Sequence, residues 1–285
     1  MNEESLMRSR IRKILMICSN YDAFALEEDG RIENQVKNEY RELNLSNPPR
    51  FIWANSSSQA REIIGSEEEI DMIICMYNEQ DKEIFPFASQ LKEDGRGIPF
   101  ILLIHYSKAV RQRVLESPRP GVDFVFSWHG NADLILAIVK LLEDAANADN
   151  DVFEVGVKGI LLVEDSIRYY SNYLPELYKI VLTQSREFLK ESLNEDQKKY
   201  RKRSRPKIFL ATCLEEALAY FRKYGRNLLG VISDVGMVVH KGDDPKTEKL
   251  DAGIDLVKVI REYDPLMPVL LQSSQGGLAK VAEEL

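Results

Sequence analysis

The sequence predicts an α/β protein built from two doubly wound parallel-sheet domains. Strand-length apolar runs alternate with helix-length amphipathic stretches, a pattern that predicts parallel strands covered by helices on both faces. An acidic stretch, Asp144–Asp151, interrupts the alternation, which then starts again. The chain has 285 residues, which suits two domains that each bury their own core.

The first half contains five apolar runs that predict buried strands and five stretches that predict helices. The predicted strands are Ile14–Cys18, Arg50–Ala54, Asp71–Met76, Pro99–Ile104 and Asp123–Phe126. The predicted helices are Ile32–Leu45, Ser58–Ile64, Phe85–Glu93, Lys108–Leu115 and Ala132–Glu143. These elements define a first domain over residues 11–144, and residues 145–156 are predicted to be a linker.

The second half, residues 157–285, repeats the pattern. Its predicted strands are Gly159–Val163, Lys207–Ala211, Leu229–Ser233 and Pro268–Leu271, and its predicted helices are Ser166–Glu191, Leu214–Tyr224 and Gly253–Tyr263. Three segments of the two halves correspond: Ile14–Asn20 with Ile160–Ser166, Asp71–Met76 with Leu229–Asp234, and Pro99–Ile104 with Pro268–Ser273. The two halves are therefore predicted to be a diverged repeat of one fold.

The second half is shorter than the first half after its fourth strand. Beyond Ile104 the first half has room for a helix, a strand and a last helix, whereas only a short stretch follows Ser273. We expect the second domain to lack its last strand and helix. Its fourth strand, Pro268–Leu271, would then be an exposed edge that can pair with another copy of the chain, which predicts a tendency to form homodimers.

Composition narrows the classes of function. A net charge of −8 argues against nonspecific nucleic-acid binding, which needs a cationic surface. The apolar runs are far shorter than a membrane span, and residues 1–10 do not resemble a secretory signal. The three cysteines, Cys18, Cys75 and Cys213, lack metal-ligand spacing and are expected to be reduced thiols. We therefore expect a cytoplasmic protein with neither nucleic-acid nor membrane partners.

The second half places carboxylates and a hydroxyl at the ends of its strands. Glu164 and Asp165 follow the first strand, Asp234 ends the third, and Ser273 follows the fourth. In an open parallel sheet, ligands bind at the carboxyl ends of the strands. Clustered carboxylates raise one another's pKa unless a cation is bound, and Mg²⁺ prefers oxygen ligands and also binds phosphate oxygens. The pattern favours a carboxylate that attacks a phosphoryl donor and becomes an aspartyl phosphate.

Three motifs resemble the receiver domain of two-component response regulators, which has a flavodoxin-like fold. They are the acid pair in Leu161–Ser166 (LLVEDS), the acceptor in Gly230–Met237 (GVISDVGM) and the hydroxyl in Pro268–Ser274 (PVLLQSS). The resemblance implies partners of two kinds: a histidine kinase or phosphotransfer donor, and an output domain or partner protein. More faintly, the chain resembles the N-terminal part of larger multidomain signalling proteins.

The same resemblance implies a role for each residue of the site. Asp234 would be the phosphoacceptor and Ser273 the hydroxyl that contacts the phosphoryl group. Glu164, Asp165 and Asp234 would hold Mg²⁺ together with the backbone carbonyl of Gly236.

Two features of the second half depart from the family pattern. The lysine that ends the fifth strand in the family has no counterpart here, so we expect weak phosphorylation or a failure to switch. A polar insert, Val239–Ala252, follows the predicted site. It is expected to bring Asp243, Asp244 or Lys241 near the phosphoryl group.

The first half resembles the same fold without the residues that phosphoryl transfer needs. The corresponding positions hold Cys18 and Ser19 for the acid pair, Met76 or Cys75 for the acceptor, Ile104 for the hydroxyl and Trp128 for the lysine. Asp22 is nearby but out of register. We interpret the first half as a pseudo-receiver that acts by contact.

The expected function is phosphoacceptor signal relay rather than enzymatic turnover. One alternative is an interaction module that is never phosphorylated, which the missing lysine and the first half favour. Another is a phosphatase of the haloacid-dehalogenase type, which also uses a strand-end aspartate as nucleophile. That class has a second acid two residues after the nucleophile, where this sequence has Gly236.

Overall fold

The computed structural model describes residues 7–20, 22, 32–42, 45, 47–66, 69–105, 107, 110, 114, 118–190 and 205–273. The chain divides into two compact units: the first unit is Arg10–Val139, and the second unit is Lys140–Leu285 together with Met1–Ser9. Each unit contains one parallel sheet with helices around it. The predicted fold class, two doubly wound α/β domains, is therefore confirmed.

The first unit has a five-stranded parallel sheet with the order β2-β1-β3-β4-β5. The strands are β1 (Lys13–Ile17), β2 (Arg50–Ala54), β3 (Met72–Met76), β4 (Phe100–His105) and β5 (Phe124–Trp128). The helices are α1 (Ile32–Glu42), α2 (Ser57–Gly65), α3 (Ile84–Glu93) and α4 (Ala132–Asp149), and the part of α4 from Lys140 onwards belongs to the second unit. The central strand β3 is buried along its whole length because helices cover both faces of a doubly wound sheet. The predicted helix Lys108–Leu115 lies mostly outside the described residues.

The second unit has four described strands in the order β7-β6-β8-β9, which matches the first four positions of the first sheet. The strands are β6 (Gly159–Val163), β7 (Lys207–Ala211), β8 (Leu228–Asp234) and β9 (Val269–Gln272), and the helices are α5 (Ile167–Lys190), α6 (Leu214–Tyr224) and α7 (Ala252–Tyr263). Apolar side chains of α6 and α7 pack with Leu161, Val163 and Val231 in one buried cluster. Since parallel crossovers are right-handed, α5 lies on the opposite face of the sheet.

The segment predicted to be a linker is mostly helical. The helix α4 continues to Asp149, and one π-helical turn, Asn150–Glu154, follows it. Asp144 and Asp151 are 0% exposed, although the small and acidic residues between them are typical of a solvated linker. Residues 140–154 are thus a packed part of the second unit.

A network of buried charges explains this packing. The Arg205 guanidinium donates to both oxygens of Asp144 at 2.7 and 2.9 Å. The Lys207 ammonium lies 2.6 Å from Asp151 Oδ2 and 3.5 Å from Asp144 Oδ1. The Tyr178 hydroxyl donates to Asp144 at 2.9 Å. Burial alone would raise the pKa of Asp144, but the two cations outweigh it and hold that pKa below its usual value. We call these five residues the buried ion network.

Candidate functional site

Three carboxylates meet at the carboxyl edge of the second sheet. Glu164 and Asp165 follow β6, and Asp234 ends β8, the strand that pairs with β6. One oxygen from each of the three lies within 4.8 Å of the others. The strand order reverses between β6 and β8, which is where ligands bind in doubly wound sheets. The structure therefore brings together the three carboxylates that the sequence singled out.

Backbone groups fix the two carboxylates that follow β6. The Glu164 amide donates to the Ala211 carbonyl at 3.0 Å, which extends the strand pairing by one residue. The Ser166 amide donates to Glu164 Oε1 at 3.1 Å. The Val238 amide donates to Asp165 Oδ2 at 3.0 Å, so the residue just before the polar insert helps to orient Asp165. Both side chains are therefore held by main-chain donors.

A close approach between β8 and α7 fixes Asp234. The Val235 amide donates to Asp234 Oδ1 at 2.7 Å, and the Gly253 amide donates to the Val235 carbonyl at 2.8 Å. A Cβ atom at Gly253 would lie 2.2 Å from the Asp234 carbonyl oxygen, so only glycine allows this approach. The sequence predicted Gly253 as the start of a helix but gave no role at the site to it. Its signal was a glycine in the first turn of a predicted helix, where it lowers helix stability and often marks a close backbone contact.

Charge repulsion and burial act together on the three carboxylates. Burial, together with the charges of Asp234 and Asp165, raises the pKa of Glu164 to about 8. Burial, followed by the charges of Glu248 and Asp234, raises the pKa of Asp165 to about 6. Burial also raises the pKa of Asp234. The ionised form of the cluster is thus unfavourable without a cation, and a bound cation would stabilise it.

The donor set fits a hard divalent cation. Among the described residues, this is the one group of three or more His, Cys, Asp and Glu side chains close enough to share an ion. All of its ligand atoms are carboxylate oxygens, which suit Mg²⁺ better than a thiophilic metal. Gly236, whose carbonyl was predicted to be a further ligand, lies two residues after Asp234.

Ser273 lies at the same edge of the sheet. Gln272 pairs with Asp234 in the β8–β9 register, and the Val235 amide donates to the Gln272 carbonyl at 3.0 Å. Ser273 is the next residue and is exposed. Its position in the register is compatible with the predicted hydroxyl.

The three insert residues expected to approach the site form other contacts. Lys241 pairs with Glu216 at 2.9 Å. Asp243 accepts from the His240 amide at 2.9 Å, and Asp244 accepts from the Lys246 amide at 2.9 Å. These bonds hold the insert to itself and to α6. Glu248, which sequence analysis did not single out, is the insert carboxylate that influences the cluster.

The first sheet has apolar side chains at the corresponding edge. Ile17 pairs with Cys75 just as Val163 pairs with Ser233, so Met76 rather than Cys75 corresponds to Asp234. At the other corresponding positions, Cys18, Ile104 and Trp128 are 3%, 0% and 8% exposed. The register therefore identifies Met76 as the counterpart of Asp234. The low exposures show that apolar side chains are buried at this edge.

Polar groups near that edge bond to one another. The Ser19 hydroxyl donates to Asp22 Oδ2 at 2.6 Å, and His105 Nε2 lies 3.2 Å from Asp22 Oδ1. Burial, with a smaller contribution from Asp22, raises the pKa of the Cys18 thiol to about 12. Burial likewise raises the pKa of Cys75. Thiols with such raised pKa values are inert at neutral pH.

Comparisons with known proteins give a distant structural likeness. No protein-family model matches the sequence, and no curated protein matches it. One solved structure, titled a probable two-component system response regulator/GGDEF domain protein, is 18% identical, with 96% of this chain and 88% of that chain covered and a TM-score of 0.34. A second, a putative protein of the same description, is 16% identical with the same coverage and a TM-score of 0.35. The ABC domain in complex with L-Trp from Streptococcus pneumonia is 12% identical, with 92% and 74% covered and a TM-score of 0.24. At such low identities and TM-scores, this likeness assigns no function to the chain.

Within the described part of the chain, no helix is both long and apolar enough to cross a bilayer.

Proposed function

We propose that the second unit is a receiver-type phosphoacceptor, with Asp234 accepting the phosphoryl group and relaying a signal. The observation that carries the proposal is the meeting of Glu164, Asp165 and Asp234 at the point where the strand order reverses. This placement provides a carboxylate nucleophile and two further carboxylates suited to a divalent cation.

The proposed donor is a phosphohistidine of a cytoplasmic kinase or phosphotransfer protein. An oxygen of Asp234 attacks phosphorus and forms an O–P bond, while the N–P bond breaks and the imidazole leaves with the electron pair and takes up a proton. Asp234 must be ionised to attack, although burial raises its pKa. Glu164, Asp165, Asp234 and the Gly236 carbonyl would hold Mg²⁺, which when bound would neutralise carboxylate and phosphoryl charge.

Other groups at the site would orient the carboxylates and contact the phosphoryl group. Val235 and Val238 amides hold two of the carboxylates, and Ser273 lies on the neighbouring strand end, where its hydroxyl would donate to a phosphoryl oxygen. A phosphoryl group adds nearly two negative charges at this edge. The added charge would reorder adjacent loops and change contacts with an output domain or partner protein.

We propose that the first unit acts by contact alone, as a pseudo-receiver. Buried apolar side chains, including Met76 and Ile104, fill the positions that hold Asp234 and Ser273 in the second unit. An ion there would lose its hydration without gaining carboxylate ligands. The single catalytically competent edge would therefore be that of the second sheet.

Calorimetric titration with Mg²⁺, followed by beryllofluoride as a phosphoryl mimic, tests the function. Both tryptophans, Trp53 and Trp128, lie in the first unit, so heat is a better signal than intrinsic fluorescence. We expect saturable binding of both ligands to the wild type, loss of beryllofluoride binding in Asp234→Asn, and unchanged binding in the control Glu262→Gln, an exposed residue of α7. An absence of binding in the wild type would leave an interaction module that is never phosphorylated.

A further inference from the structure

The polar insert, Val239–Ala252, is anchored beside the site at both ends. At its start, the Leu214 and Glu215 amides of α6 donate to the Val238 and Val239 carbonyls, each at 3.0 Å. At its end, Lys249 forms an antiparallel bridge with Met237. That bridge consists of two backbone hydrogen bonds of 3.0 and 3.2 Å. The insert therefore returns to the strand end that carries the acceptor.

This return places the Glu248 carboxylate against Gly236. A Cβ atom built on Gly236 would lie 2.0 Å from Glu248 Oε1, so the carboxylate occupies the space that a side chain would need. Gly236 is two residues from Asp234, and its carbonyl is a proposed cation ligand. The neighbouring cation, Lys249, pairs with Asp255 rather than with Glu248. Glu248 thus adds a negative charge at the rim of the site.

We propose that Glu248 is a fourth carboxylate of this site, which strengthens binding of the divalent cation and weakens binding of the phosphoryl anion. The inference rests on the proposed function of the same site. A unit charge several ångströms from a divalent ion in solvent of high dielectric constant changes the binding constant by about three- to tenfold. The same charge repels a dianionic beryllofluoride–aspartate centre, so the two ligands should respond in opposite directions.

The test is calorimetric titration of Mg²⁺ alone, and then of beryllofluoride at saturating Mg²⁺, on Glu248→Gln, Glu248→Asp and the control Glu262→Gln. Glu248 and Glu262 are both exposed carboxylates of the second unit, so a general charge effect would appear in both. We expect Glu248→Gln to bind Mg²⁺ about three- to tenfold more weakly and beryllofluoride more tightly. Glu248→Asp keeps the charge and should stay within about twofold of the wild type.

The outcomes separate the two proposals. If the wild type binds Mg²⁺ and beryllofluoride, and Asp234→Asn does not bind beryllofluoride, the proposed function holds. If Glu248→Gln then behaves as Glu262→Gln does, the role of Glu248 is overturned on its own. A wild type that binds neither ligand overturns both.

Discussion

The second unit contains two clusters of charged side chains that are built on opposite principles. In the buried ion network, Asp144 and Asp151 lie beside Arg205 and Lys207, so each carboxylate has a cation at hand. At the carboxyl edge, Glu164 and Asp234 face other carboxylates, and their pKa values are raised. The first cluster is neutralised from within the chain, whereas no cation of the described residues compensates the second. Uncompensated charge is costly for folding and is therefore typical of a site that binds something.

The largest predicted effect comes from breaking the buried ion network. Replacing Asp144 with Ala leaves Arg205 buried without its partner, and we expect the second unit to lose about 3–5 kcal/mol of unfolding free energy. Asp149→Asn, on the same helix, is the control because it removes the exposed pair with Lys223 while its amide oxygen can still accept from the Tyr224 hydroxyl, and it should change stability by no more than about 1 kcal/mol. Urea denaturation of both variants measures the difference. Equal effects would mean that the network does not hold α4 to the sheet.

The second predicted effect is a dependence of stability on pH in metal-free protein. Folding raises the pKa of Glu164 to about 8 and that of Asp165 to about 6, from unfolded values near 4. Folding therefore favours the protonated forms, and that stabilisation is complete below about pH 4 and is lost as the pH rises through 6 and then 8. In EDTA we expect the second unit to lose on the order of a few kcal/mol between pH 5 and pH 9.

Denaturation in EDTA at several pH values measures this slope. Glu164→Gln should flatten its upper part, because glutamine does not titrate and keeps an oxygen for the Ser166 amide. Saturating Mg²⁺ should reduce or reverse the slope, since binding requires ionised ligands. A metal-free second unit that becomes more stable as the pH rises would contradict the interpretation of the cluster.

The sequence predicted the sheets well because their signals are local. The strands Arg50–Ala54, Gly159–Val163 and Lys207–Ala211 have the predicted bounds, since an apolar run between polar turns is enough to define a buried parallel strand. The carboxylates of the site follow from the same reasoning, because parallel strands bring their carboxyl ends to one edge. The features missed depend on partners distant in sequence.

The buried pair of Asp144 with Arg205 and the approach of Glu248 to Gly236 are two features of this kind. Asp144 belongs to a stretch that is small and acidic, and its partner Arg205 is 61 residues away, so a solvated linker was the natural prediction. Glu248 reaches Gly236 only because Lys249 pairs with Met237 across the insert. Neither contact produces a periodic pattern in the sequence, so neither could be predicted from such a pattern.

The smallest predicted effect reverses the sign of the first. Asp165→Asn removes a charge from the uncompensated cluster, while its amide oxygen can still accept from the Val238 amide. Since the pKa of Asp165 is about 6, the residue is ionised at pH 7.5, and we expect the substitution to stabilise the metal-free second unit by about 1 kcal/mol. Urea denaturation in EDTA measures the gain, and calorimetry should show weaker Mg²⁺ binding by the same variant. Opposite signs for Asp144→Ala and Asp165→Asn would establish that one cluster stabilises the fold while the other destabilises it in the absence of metal. Destabilisation by both substitutions would leave two clusters that stabilise the fold.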